Sequence, residues 1–180
     1  MVFMLRSLKS NTLLSATLIL CIVLILTGCE KKYAEDESKV VINEIMPSNL
    51  STVADPAGEY DDWIELFNKT SEEQDISGWF LSDSKSNYTK FMFPAHTKIS
   101  GYGYLIIWAD QDTTQSGLHA GFKLSAEGEK VVLSYPDGNK ADLAEYPASS
   151  LELSYSRNPD GSGTFRWQLP TFGRSNNDYN

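Results

Sequence analysis

Gly58–Asn68, GEYDDWIELFN, decides how the chain is read. Its second half alternates, with Ile64 and Leu66 on one face of an extended strand and Trp63, Glu65 and Phe67 on the other. The Gly-Glu-Tyr-Asp-Asp entry is polar and turn-like, and Asn68 with the run Lys69–Glu73 closes the strand. Shortly after, Asp75–Asp83, DISGWFLSD, bends at Ser77-Gly78 into a second short strand, Trp79–Ser82. These two aromatic-rich strands are expected to pair like a hairpin, with later strands completing the sheet.

Working outward, Val40–Met46 is a strand stopped by Pro47, and Ser48–Glu59 is a loop. Lys90–Phe93 stops at Pro94. Tyr104–Ala109 is apolar on both faces and reads as a central strand buried on two sides. Lys130–Tyr135 and Ala141–Tyr146 flank Pro136-Asp137-Gly138-Asn139, a hairpin turn in which Pro presets φ and Gly takes the positive φ. Leu153–Arg157 and Phe165–Gln168 flank a second Pro-Asp-Gly turn, and Asn176–Asn180 reads as a frayed polar tail. No stretch after Leu26 sustains a helical period, and about eight to ten short strands at this spacing predict an all-β sandwich, with a small barrel as the alternative.

The chain has 180 residues, 41% of them hydrophobic, enough for a core in one domain with appendages. Its formal charge is −9, and residues 1–28 contain Arg6 and Lys9 but no acid, so the remainder carries −9 − 2 = −11. Such a surface repels nucleic acid and anionic headgroups. Beyond Cys29 there is no cysteine, which excludes a disulfide framework or thiolate metal site in the folded part.

Residues 1–28 read as a signal peptide: Arg6 and Lys9 precede the apolar run Leu13–Leu26, roughly 20 Å as a helix and short of a bilayer core of about 30 Å. The run ends in Leu26-Thr27-Gly28-Cys29, which resembles the bacterial lipobox. That resemblance implies cleavage before Cys29 and lipid on its thiol. Residues 29–39 form a charged tether, 40–174 the sandwich and 175–180 the polar tail. Glu30 in place of Asp lacks the inner-membrane retention signal, and Glu35-Asp36-Glu37 resembles the acidic export signals of surface lipoproteins. The expected location is a bacterial cell envelope, at the outer membrane or cell surface.

The ordered segments INEIM, GEYDDWIELFN, DISGWFLSD, FMFPAHTKISGYGYLIIWAD and LSAEGEKVVLSYPDG resemble the lamin tail domain in its bacterial form, over about Val40 to Gly173. The resemblance implies an immunoglobulin-like β-sandwich, the class already reached from the strand pattern. In nuclear lamins the domain is an interaction module behind a coiled coil; no heptads occur here, so the nuclear role does not carry over.

Acids cluster twice, at Asp55, Glu59, Asp61, Asp62 and Glu65, and at Asp110-Gln111-Asp112. Asp110 and Asp112 are the expected ligands if a cofactor is held, and calcium is the one their hard oxygens suit. The EF-hand glycine and closing glutamate are absent. His119 in the same loop invites pairing with Asp110 or Asp112, while His96 follows Pro94-Ala95 in a turn. Neither G-x-S-x-G nor HExxH occurs, and no catalytic residue is assigned. Trp63, Trp79 and Trp108 are expected in the core, with Trp167 and Tyr102 near strand ends.

The expected function is a non-catalytic, lipid-anchored interaction module with a membrane contact through Cys29, a protein or polysaccharide partner and no nucleic-acid partner. Two alternatives are a small metal-assisted hydrolase using the Asp110–His119 loop and a purely structural envelope protein.

Overall fold

Strand β1 (Val40–Met46) breaks the two-residue period of a regular strand, because Val40, Ile42 and Ile45 all reach the core. In the computed structural model, which describes residues 37–149 and 152–178, a bulge resolves the conflict. Ile42 pairs with Leu66 of β2 (Trp63–Asn68), and Glu44 already pairs with Glu65. One extra residue on β1 thus turns both Asn43 and Glu44 to the outer face and returns Ile45 to the core.

Ten further strands follow: β3 (Gln74–Asp75), β4 (Phe80–Ser82), β5 (Phe91–Met92), β6 (Lys98–Ile99), β7 (Tyr104–Ala109), β8 (His119–Ala120), β9 (Gly128–Ser134), β10 (Lys140–Pro147), β11 (Ser154–Asn158) and β12 (Thr164–Gln168). They form a six-stranded sheet ordered β12-β11-β1-β2-β7-β8, a four-stranded sheet ordered β10-β9-β4-β5 and a small β3-β6 pair. Pairing is antiparallel except between β7 and β8. Ile64, Leu66 and Ile107 from the first sheet meet Leu81, Val131, Leu133 and Tyr146 from the second, an immunoglobulin-like β-sandwich. Burying each such Ile or Leu contributes roughly 1.5–3 kcal/mol.

The outer face of the six-stranded sheet is also covered. Met46, Trp63 and Trp108 form a second cluster with Val53, Ile106 and Phe172, and the Phe172 ring sits edge-on to Trp63 at 5.2 Å. Gly161 lies so close to Phe67 that a Cβ would come within 2.9 Å of its ring, and its φ of 70° also favours glycine. A polar clasp joins the sheets: Arg157 of β11 donates from Nη2 to both Asp142 oxygens at 3.0 Å and from Nε to the Ile42 carbonyl at 2.8 Å. Asp142 of β10 in turn accepts the Ile42 N–H at 2.8 Å.

The expected hairpin between the two aromatic strands does not form. β2 lies in the six-stranded sheet and β4 in the four-stranded one. The Trp79 carbonyl accepts the Phe93 N–H, Ile76 enters the shared core, and Gly78 at φ 75° turns the chain from one layer to the other. Tyr104–Ala109 is buried through Ile107–Ala109 only, because β8 pairs with just Trp108 and Ala109. Both Pro-Asp-Gly hairpins form, joining β9 to β10 and β11 to β12. The expected frayed tail is replaced, as far as Asp178, by a short 3-10 turn, Asn176–Asp178, in which Asn176 is fully buried.

Candidate functional site

The end of β1 and the start of β2 meet the end of β7 at one edge of the six-stranded sheet, where Met46 pairs with Trp63 and Trp63 with Trp108. Two loops leave this edge, residues 47–62 and 110–118. Buried Asn49 shapes the first by donating from Nδ2 to the Val53 carbonyl at 2.6 Å and the Asp61 carbonyl at 2.8 Å. Buried Asp55 closes a smaller turn inside it, its Oδ1 accepting the N–H groups of Ala57 at 2.9 Å and Glu59 at 2.8 Å. Carboxylate oxygens of Asp55, Glu59 and Asp61 are thereby brought within 4.8 Å of one another.

In the second loop, Asp110 Oδ1 accepts the Asp112 N–H at 2.9 Å and Oδ2 lies 2.6 Å from His119 Nδ1. His119 is buried, and its Nε2 is 3.3 Å from the Ser116 carbonyl. Asp112 Oδ1 accepts the Thr114 hydroxyl and N–H, which hold its carboxyl below the usual range. The pair expected to bind calcium is therefore engaged by protein donors. Gln115 connects the loops, donating from Nε2 to Glu59 Oε2 at 2.7 Å and Asp112 Oδ2 at 3.2 Å.

Two carboxyls here, those of Asp61 and Asp62, are shifted toward the neutral form. Burial raises Asp61, and the charges of Asp110, Glu59 and Asp55 add to it. Burial pushes Asp62 up to about 6, partly offset by the Asn49 N–H. Glu65, expected in this cluster, belongs elsewhere: it is fully buried on the outer face of β2. Cys29 lies outside the described residues.

The model of the Lamin Tail Domain matches residues 34–148, well over half the chain and the stretch that holds β1 to β10. The chain belongs to the lamin tail domain family. No curated protein matches it. Lamin tail domains are an immunoglobulin-like, non-enzymatic family, in keeping with the sandwich described above.

In this lamin tail domain the matched stretch ends before β11 and β12, yet the chain beyond it is integral to the fold. Glu44 Oε1 accepts the Ser154 hydroxyl at 2.5 Å and the Thr171 N–H at 2.9 Å. Glu65 Oε2 accepts the Gly173 N–H at 2.7 Å, and its Oε1 accepts Asn43 Nδ2 at 3.0 Å. Asn43 also donates to Asp160 Oδ1 at 2.9 Å, and Asn176 donates from Nδ2 to the Asn43 carbonyl at 3.2 Å. Burial first, and the Glu44 charge second, push Glu65 up to about 8. This network closes the domain. Its signal in the sequence was present: polar Asn43-Glu44 inside VVINEIM and Glu65 inside WIEL, each among apolar neighbours.

Trp63 and Trp108 are buried as expected, whereas Trp79 is half-buried against Tyr135 at 4.7 Å. Trp167 packs on Tyr155 at 5.0 Å, and Tyr102 is exposed. His96 is exposed in its turn.

Proposed function

We propose that this lamin tail domain is a non-catalytic binding module of a bacterial cell envelope, tethered by lipid on Cys29 and presenting its acidic loop edge to a protein or polysaccharide partner. The observation that carries this reading is the composition of the 47–62 loop. Leu50 is 61% and Tyr60 49% exposed, and both flank acids held in a defined turn. Exposed apolar and aromatic side chains in an ordered loop are suited to recognition. The internal engagement of His119 at both ring nitrogens supports a packing role over general-base work.

The anchor is tested by detergent-phase partition of the wild type and Cys29→Ser, with mass spectrometry of the mature N-terminus. The wild type is expected in the detergent phase with an acylated N-terminal cysteine, and Cys29→Ser in the aqueous phase. Equal partition with an unmodified thiol defeats the anchor. Assays on pooled polysaccharides and phosphoesters are expected to give no turnover; turnover lost in His119→Ala would instead establish the hydrolase reading.

A further inference from the structure

We propose that Asp55, Glu59 and Asp61 form a binding site for a divalent cation of the calcium class. Their side chains converge, with one carboxylate oxygen from each inside a 4.8 Å set. Convergence of acids alone is common on acidic surfaces. Here it coincides with buried oxygens that have no donor.

Asp55 is only 6% exposed. Its Oδ1 takes two backbone N–H groups, while its Oδ2 is buried and has no hydrogen-bond partner. Asp61 Oδ2 is likewise buried and unpartnered. Gln115, whose amide nitrogen already holds Glu59, has a buried Oε1 with no donor. A buried carboxylate oxygen without a donor costs stability, and a second and third carboxylate beside it increase the cost. One bound cation relieves the missing donors and the repulsion together.

The donor set is all oxygen, which suits calcium rather than a thiolate- or imidazole-seeking metal. His119 is turned away toward Asp110 and Ser116. Side-chain carboxylates supply part of the six to eight oxygens calcium takes, and water completes the shell at an edge where Glu59 is exposed. Affinity in the range of extracellular modules, roughly 10⁻⁴ to 10⁻³ M, follows from a short, partly open ligand set.

The test uses the full chain in non-ionic detergent at about 0.15 M NaCl, an ionic strength that screens non-specific charge effects. Calcium chloride is titrated by calorimetry, and melting is followed in chelator and in excess calcium. The wild type is expected to bind saturably and to melt several degrees higher in calcium. Asp61→Asn leaves the backbone carbonyl that holds Asn49 in place and removes one ligand charge. It is expected to weaken binding at least tenfold and to invert its effect on melting: higher than wild type in chelator, where repulsion is relieved, and lower in calcium. Glu59→Gln, which keeps an oxygen for Gln115, is expected to weaken binding similarly. Asp112→Asn is expected to bind as wild type. Absence of saturable binding up to about 10⁻² M calcium, well above that affinity range, overturns the proposal. Binding that survives Asp61→Asn and Glu59→Gln but is lost in Asp112→Asn overturns it equally.

Discussion

Glu44 and Glu65 stand directly opposite each other on β1 and β2, both fully buried on the outer face of the sheet. Among the described residues, no Lys or Arg forms an ion pair with either. Their oxygens are held instead by the neutral donors Ser154, Thr171, Asn43 and Gly173. Like charges opposed across a ladder are destabilising, more so away from water, and burial accordingly raises both carboxyls.

The first consequence is a stability that falls as pH rises. Glu65 moves from 4.5 unfolded to about 8 folded, so the folded state binds more protons between those values. Its contribution is fully present below about 4.5 and is lost as pH climbs through about 8, and Asp62 acts with the same sign between 3.8 and about 6. A tenfold change in proton affinity corresponds to about 1.4 kcal/mol, so the loss amounts to a few kcal/mol. Urea denaturation from about pH 5 to about pH 8.5 is expected to show this slope, and Glu65→Gln to flatten it. A wild-type profile flat over that range defeats the argument.

Asn176→Ala tests whether the chain beyond the matched residues closes the fold. The substitution removes the bond to the Asn43 carbonyl at 3.2 Å and one of the two acceptors beside the Thr171 hydroxyl, which keeps Glu44 Oε2 at 2.5 Å. Leaving buried polar groups unpaired costs about 1–3 kcal/mol each. A loss of about 1–3 kcal/mol is expected from the urea midpoint, whereas a loss under about 0.5 kcal/mol would mark the segment as peripheral.

The Arg157–Asp142 clasp couples the two sheets, and both side chains are largely shielded, at 16% and 15% exposed. A double-mutant cycle with Asp142→Ala and Arg157→Ala is expected to return a coupling of about 1–3 kcal/mol. Asp142→Ala alone is expected to cost the most, because the Ile42 N–H loses its acceptor as well. Additive single effects would show that the clasp is incidental.

Nucleic acid is not an expected ligand. Subtracting Arg6 and Lys9 from 15 leaves 13 cations beside 24 acids. The arginines near the C-terminus are engaged within the fold: Arg157 with Asp142, Arg166 with Gln168 and Arg174 with the Thr171 carbonyl. DNA affinity rests on clustered cations that displace counterions. Fluorescence anisotropy with labelled duplex at about 0.15 M salt is expected to show no saturation up to about 10⁻⁴ M. Salt-sensitive micromolar binding reduced by Arg166→Ala contradicts this.

Strand positions and hairpins were legible in the sequence because they rest on near neighbours. The period of WIELFN and the Pro-Asp-Gly turns before β10 and β12 act over a few residues, and they appear where expected. The order of many short motifs likewise marked the family. Only the tertiary structure decided which sheet each strand joins. β2 and β4, close in sequence, part because their pairing partners differ: β1 and β7 for one, β5 and β9 for the other. The same holds for polar groups. Glu65 reads as one more acid beside Asp61 and Asp62, yet the strand that begins at Trp63 carries it to Glu44 and the returning C-terminal segment seals it in. Asp55 and Gln115, far apart in the chain, meet around Glu59 because β2 and β7 bring their loops to the same edge. Burial and proximity of this kind are set by long-range pairing, which local pattern does not contain.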